Sequence, residues 1–499
     1  MSGKALNCPR NRGASVPWPA WLLAAVVFAR LASLAFYPLT DATEARYANI
    51  ARVMLETGDW VTPRTTPGAV FWGKPPLFAW ASAASMGLVG VGELGARLPS
   101  FVFATMTLLI VYGWAFGVAA RAGREHPRET GVAAALVCAT CFGFFVASGA
   151  VMTDPSLVFA TTWALASFWM VTIAADSRWR WRFGFFAALG LGMLAKGPVS
   201  VVLVAVPIAF WCLLYRRWAD LHSLPWLRGT ALAAVIALPW YVVAEMKTPG
   251  FLRYFVLGEN LQRFLVPGWQ GDLYGFAHTA PRGFVWLYFA TATLPWSLIA
   301  VPAAWTALVR GRKKVPREPA ISFLWLVMLS PLVFFSFSAH VIWTYALPSI
   351  PPLAVLMSIR LTEPTARSAP VRHAFVAASV MSILFAGSFV VLSARSVDKY
   401  STREIYRQWE AAQAMVPGPL IFEGHQVVPS LLFYSDGATR ADPKEEDETV
   451  THYDVYRAEQ ADRFADQPAE CVRARVIIGR VRDYVLVREM GLPQHCDFD

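Results

Sequence analysis

Charge is what this sequence has least of. Only 16% of its 499 residues are Asp, Glu, Lys or Arg, whereas 56% are hydrophobic. Soluble domains carry roughly 25% charged residues. The deficit excludes an ordinary water-soluble globule and points to burial in lipid. The sequence also lacks an internal repeat, a low-complexity tract, a Walker-type phosphate loop and a zinc-type cysteine spacing. Cysteine is scarce. Cys8, Cys138, Cys141 and Cys212 lie in or beside N-terminal or apolar segments, and Cys471 and Cys496 lie in a polar tail. Cys138 and Cys141 form a C-x-x-C inside an apolar run without a partner pair, so no metal or redox role follows. Cys471 and Cys496 are expected to form a disulfide if the tail meets an oxidising compartment. The net charge of +10 would suit nucleic acid. Nucleic-acid binding is excluded because the basic residues sit in short gaps between apolar runs.

Long apolar runs are what the sequence has instead, with 21 tryptophans suited to membrane interfaces. A membrane helix needs about 20 mostly apolar residues. The runs 18–37, 98–118, 131–150, 154–174, 183–196, 198–215, 228–245, 283–308, 321–338, 342–359 and 372–392 predict eleven spans. The segment 76–92 is apolar enough to tempt a twelfth crossing. Left uncrossed, it puts the loops carrying Arg121 to Arg128, Arg178 to Arg182, Arg216 to Arg228, Arg310 to Arg317 and Arg360 to Arg372 on the cytosolic side. That satisfies the positive-inside rule. The segment is therefore read as a helix lying along the interface. The first span is read as an uncleaved anchor. Arg30 within it predicts a polar partner, or snorkelling to the outer face. Residues 1–392 then form a transmembrane catalytic domain with large outer loops at 38–97 and 246–282. Residues 393–499 form a small outer α/β soluble domain, with strand-like runs at Pro419 to Phe422 and Val476 to Gly479 and a helix near Glu404 to Met415.

The chemistry-bearing residues gather on the outer side. The first loop carries Asp41, Glu44 and Arg46 on a helix expected to end at Thr57, before Gly58. Asp41 and Glu44 are candidate catalytic carboxylates, but their spacing is also that of a capping box. Lys74, before a Pro pair, can clamp a phosphate or meet lipid headgroups. Asp154 and Lys196 fall at other outer turns, and Asp154 before Pro155 is also a natural helix start. The second loop offers Glu259, Arg263 and His278. His340 and Tyr345 sit at the start of the tenth span. A lone loop histidine such as His278 is usually solvated surface. The opposite side of the membrane is merely basic. That polarity is what an outward-facing site at a lipid interface needs.

Together these segments resemble the GT-C glycosyltransferases of the protein-mannosyltransferase-like superfamily, and within it the lipid A aminoarabinose transferases. The likeness runs from about Ala35 to Pro352. It rests on the E-x-R-Y-A block at Glu44, K-P-P at Lys74, R-L-P-S at Arg97, T-D-P at Thr153, K-G at Lys196, P-W at Pro239 and Pro295, Q-R-F at Gln262 and T-Y-x-L-P at Thr344. The resemblance implies a GT-C fold with interfacial helices between the first two spans. It also implies a polyprenyl-phosphate sugar donor and a catalytic carboxylate in the first loop. The chain departs from the pattern at two telling places. Thr43 stands where the aminoarabinose group has Asp, and Gly73 stands where it has Glu before K-P-P. If that Glu helps to hold a divalent metal in the relatives, the second departure speaks against one here; no cofactor is assigned.

The expected activity is inverting transfer of a sugar to an envelope glycan or glycolipid such as lipid A, by a monomer in a bacterial inner membrane with its site facing the periplasm. Asp41, slightly ahead of Glu44, is expected to take the acceptor proton, with Asp154 next in line. Arg46, Lys74 and Arg263 are expected to offset charge on the leaving phosphate, with Lys196 and Tyr345 as further members of the pocket. A lipid-linked sugar flippase, a protein O-glycosyltransferase and an assembly subunit are the rival readings. A transporter often shows repeats and midplane polar residues; here no repeat is present and the candidate polar residues sit in loops.

Overall fold

The computed structural model describes residues 18–41, 43–274, 280–300, 318–363, 401–424, 426–441, 451–461, 475–481 and 483–489, with scattered positions between 376 and 391. His278, Cys8, Cys471, Cys496, most of the run 372–392 and the end of 283–308 lie outside the described residues. The expectations placed on them therefore have no structural counterpart here.

Apolar sequence with few breakers produces a bundle of helices. Five described helices are long and apolar enough to cross a membrane: Glu93–Arg121, Asp154–Thr172, Pro198–Tyr215, Trp226–Lys247 and Pro319–Ser336. Other helices occupy further predicted runs: the shorter Trp18–Ser33, Pro127–Thr140 with Phe142–Ala147, and Ile350–Leu361, and the more charged Trp179–Lys196. Asp154–Thr172 is the central helix. Pro155 opens it, where the missing N–H costs nothing, and every residue but Trp163 is buried. The helix Trp226–Lys247 bears apolar side chains outward, among them Leu227 at 88% exposure and Val235 at 72%. A helix apolar on all sides suits a membrane span. Arg30 is buried rather than snorkelled. It donates to Ser33 Oγ at 3.0 Å, Tyr37 OH at 3.2 Å and the Val146 carbonyl at 3.1 Å, and its guanidinium lies 4.9 Å from the centre of the Phe145 ring. Cys138, Cys141 and Cys212 are buried free thiols.

Between the helices Trp18–Ser33 and Glu93–Arg121 the chain stays compact. The helix Glu44–Thr57 stops at Gly58, whose φ of 66° lets its N–H reach the Met54 carbonyl at 3.1 Å. A short hairpin follows, β1 (Arg64–Thr66) against β2 (Ala69–Val70). The helix Leu77–Val89 is 13 residues long, or about 20 Å at ~1.5 Å per residue. That is too short for a hydrocarbon core of about 30 Å. It packs against Glu44–Thr57 and Glu93–Arg121 instead.

The C-terminal part carries a five-stranded sheet. Its strands are β3 (Leu420–Phe422), β4 (Arg440–Ala441), β5 (His452–Arg457), β6 (Arg475–Val481) and β7 (Tyr484–Glu489), in the order β4-β3-β5-β7-β6. The β4, β3 and β5 pairings are parallel, and β7 runs antiparallel to both β5 and β6. The helix Arg403–Gln413 supplies Ile405, Trp409 and Ala412 to a core shared with Tyr453, Val455 and Leu486. This sheet region is seated on the segment that precedes and opens the helix Glu93–Arg121. Arg403 Nη1 donates to Glu93 Oε1 at 2.9 Å, and Tyr434 OH to the same oxygen at 3.1 Å. Phe433 is buried among Leu39, Ala45, Ala48 and Val151.

Candidate active site

The two first-loop carboxylates have separate, fully occupied surroundings. Neither caps the helix Glu44–Thr57 in the way the spacing allows: Thr43 precedes the helix, and no side chain caps it there. Glu44 is buried under Arg97. Arg97 Nε donates to its Oε1 and Nη2 to its Oε2, both at 3.0 Å. The Val151 N–H donates to Oε1 at 3.1 Å, and the N–H and hydroxyl of Thr40 donate to Oε2 at 3.3 and 3.1 Å. Burial alone would raise the Glu44 carboxyl, but the charge and hydrogen bonds of Arg97, with the N–H groups of Val151 and Thr40, hold it below its ordinary range. Asp41 takes the N–H of Ser430 on Oδ1 and the Ser430 hydroxyl on Oδ2, both at 2.7 Å. Burial raises its carboxyl despite those bonds. Asp41 therefore ties the first loop to the C-terminal sheet region.

A cavity of about 470 Å³ opens beside these elements. Leu157, Val199, Val202, Phe264, Phe334 and Phe335 give it apolar walls. Lys74, Lys196, Glu259, Arg263, His340, Thr344 and Tyr345 also line it. Residues distant in sequence meet here because the π-helix Arg253–Gln262 brings Glu259 to the K-P-P turn. Short π segments recur at functional sites. Glu259 Oε1 accepts from Lys74 Nζ at 2.5 Å and from Arg263 Nη1 at 2.6 Å. Arg263 Nη2 also lies 3.4 Å from Asp272 Oδ2. Burial alone would pull the Lys74 ammonium down, but Glu259 and Tyr47 hold it above the ordinary lysine value. On another wall, Lys196 Nζ donates to Asp154 Oδ1 at 2.6 Å and stands 5.1 Å from the centre of the Tyr345 ring. Tyr345 stacks on Phe335 at 4.2 Å.

Several polar atoms in this cavity are unused. Glu259 Oε2, Arg263 Nε and Thr344 Oγ1 are buried with no hydrogen-bond partner among the described residues. Buried polar groups are normally paired. Two donors and three cations beside an apolar cavity can take an anionic head attached to a hydrocarbon tail.

Lys74, Lys196, Glu259, Arg263, His340 and Tyr345 thus come together as cavity lining, and Asp154 joins them through Lys196. Arg46 stands nearby and donates to the Tyr274 carbonyl at 2.6 Å. Asp41 and Glu44 are not among the lining residues. Sequence reasoning missed Tyr47, which entered there only as the Tyr of the E-x-R-Y-A block. Burial raises its phenol, and the charges of Lys74, Arg46, Glu259 and Asp154 all act on it. It also missed Asp272 as the second partner of Arg263. The R-Y pair at Arg46 was the available signal for Tyr47. Asp272 carried none. At Gly73 an added Cβ would lie 2.8 Å from Phe71 Cζ, so a side chain there requires the ring to move.

A profile of the dolichyl-phosphate-mannose-protein mannosyltransferase family matches residues 15–255. An undecaprenyl phosphate-alpha-4-amino-4-deoxy-L-arabinose arabinosyl transferase from Pseudomonas paraeruginosa is 32% identical over 352 residues, covering 69% of this chain and 60% of that protein. The corresponding transferase from Edwardsiella ictaluri is 30% identical over 319 residues, covering 63% and 54%. The chain thus spans less than two thirds of the length of these relatives. In three dimensions it is similar to ArnT from Cupriavidus metallidurans bound to undecaprenyl phosphate. The TM-score is 0.74 at 20% identity, over 96% of this chain and all of that one.

Proposed function

Starting from a chain with the membrane GT-C fold and a sequence related to the aminoarabinose transferases, we propose that it transfers a sugar from a polyprenyl-phosphate donor to an envelope glycolipid or glycan on the periplasmic side. One observation carries the reading. An apolar cavity of about 470 Å³ is lined by Lys74, Lys196 and Arg263, with the buried donors Arg263 Nε and Thr344 Oγ1 unused among the described residues. An isoprenyl chain suits the apolar walls, and its phosphate suits the cations. The Pseudomonas paraeruginosa and Edwardsiella ictaluri relatives are named for an undecaprenyl-phosphate aminoarabinose donor. The same donor class is proposed for this chain.

In the transfer, the acceptor oxygen bonds to the anomeric carbon as that carbon's bond to the phosphate oxygen breaks. The electron pair leaves with the phosphate. Lys74, Arg263 and Lys196 offset the charge gathering there. A hydroxyl acceptor must also lose its proton. We place that base at Asp154 rather than at Asp41 or Glu44. Its Oδ1 is bonded to Lys196, while its Oδ2 makes no hydrogen bond among the described residues. Glu44 is held below its ordinary range, chiefly by the charge of Arg97, and accepts five hydrogen bonds, while both oxygens of Asp41 are taken by Ser430. The finer topology belongs to the same reading: eleven spans, Leu77–Val89 along the outer interface, residues 393–499 as a periplasmic domain, and a monomer. Purified chain in vesicles with a labelled polyprenyl-phosphate sugar and lipid A is the test. Joint production of free polyprenyl phosphate and glycosylated acceptor supports the proposal. Donor left intact in the presence of acceptor overturns it.

A further inference from the structure

We propose that His452, Asp454 and Glu489 form a divalent-metal site in the C-terminal sheet, suited to zinc and independent of the transfer cavity. The placement follows from strand geometry. His452 and Asp454 are two apart on β5, so they share one face of the sheet. Glu489 on β7 is the register partner of His452. All three side chains are buried, and one ligand atom from each lies within 4.8 Å of the others. His452 Nε2 is 3.4 Å from Asp454 Oδ2 and 3.8 Å from Glu489 Oε2. Zinc bonds to nitrogen and oxygen are about 2.0–2.2 Å. A tetrahedron of that size has edges of roughly 3.4 Å, close to both spacings.

Two further observations point to an ion. Asp454 is 1% exposed, and its Oδ1 is buried with no hydrogen-bond partner among the described residues. An unpaired buried carboxylate oxygen is costly unless something positive meets it. The Glu489 carboxylate is also held in one orientation. Its Oε1 accepts from Tyr456 OH at 3.0 Å and lies 2.8 Å from Arg475 Nε, which leaves Oε2 toward His452. Metal-binding carboxylates are typically oriented by such outer partners. One imidazole and two carboxylates suit zinc, with a further position open to water. Among the described residues this is the only cluster of three such groups. The ion would pin β5 to β7, so binding would appear as stability of the sheet region.

The test uses the untagged full chain in detergent, stripped with chelator and then titrated with zinc against a chromophoric competitor. A single zinc ion per chain is expected, with a raised unfolding midpoint and, on cobalt substitution, visible ligand-field bands. Asp454→Asn and His452→Asn should lose the stoichiometric ion and the midpoint shift. Tyr456→Phe keeps all three ligands and should weaken zinc binding roughly 10–100-fold. That variant keeps the proposal testable if the ligand variants fail to fold. Absence of stoichiometric binding to wild type, or equal affinity in Tyr456→Phe and both ligand variants, overturns the site. Stability that follows pH but not zinc also overturns it and leaves a protonated His452 balancing the two carboxylates.

Discussion

Glu44 and Arg97 illustrate how a carboxylate can dominate a motif without being poised for proton transfer. Their two-pronged pair is buried, and the guanidinium also holds the carbonyls of Leu34, Tyr37 and Pro38 at 3.0, 2.6 and 2.9 Å. Glu44→Gln leaves Arg97 without its counter-charge. Breaking a buried pair from one side costs about 3–5 kcal/mol, so this variant should lower the unfolding midpoint before it reports on catalysis. The pH dependence has a definite sign. A carboxyl held below its ordinary value of 4.5 stabilises the fold above that value, and the contribution is lost as pH falls through the lower folded value. Unfolding midpoints measured from neutral pH downward should fall for wild type, and Glu44→Gln should lack that part of the fall. At Asp154 the expectation differs. Asp154→Asn also removes the counter-charge of Lys196, so turnover is read per folded chain; it should fall by roughly 10²–10⁴ if the acceptor is a hydroxyl, while Asp41→Asn keeps near-normal turnover. The reverse ranking, by donor release, returns the base to the first loop. Lys74→Ala should raise the donor concentration needed for half-maximal rate by about 10–100-fold, as expected for a charge-assisted bond of ~1.5–3 kcal/mol. An unchanged donor titration removes Lys74 from the phosphate site.

At the scale of elements, the link between Asp41 and the helix Pro429–Tyr434 joins two ends of the chain. Ser430→Ala removes one of its two hydrogen bonds. Hydrogen exchange should then rise in residues 429–434 and around Thr40, with donor release preserved. Exchange unchanged at both places would mean that Phe433 and the Arg403–Glu93 pair hold the seat alone. Local structure was readable wherever a local rule sufficed. Gly58 ended its helix, Pro155 opened another, and the runs near Glu404, Pro419 and Val476 became a helix and two strands. Contacts made across the chain were not readable. Ser430 meets Asp41 across 389 positions, and no spacing within the first loop encodes that partner. The approach of Glu259 to Lys74 depends on the turn and the π-helix folding against each other. A one-dimensional pattern supplies the residue types but not the pairing.

At the scale of the molecule, the separation of basic loops from chemistry-bearing loops predicts topology. Single cysteines at Arg64 and Gly92 should be labelled from the same, outer side, because the 13-residue helix between them is too short to cross. A reporter fused after Ala394 should read as outside, and one at Gly311 as inside. Labelling of Gly92 from the cytosol alone would reverse this arrangement. The molecule-wide claim is that one cavity joins a lipid tail, a phosphate and a transferable sugar. The most direct measurement follows undecaprenyl-phosphate-linked aminoarabinose and lipid A together in vesicles containing the purified chain. Free undecaprenyl phosphate and sugar-bearing lipid A should rise in step. Asp154→Asn and Lys74→Ala should suppress both products. Movement of the donor across the bilayer with its sugar still attached, and no sugar on any acceptor, would contradict it.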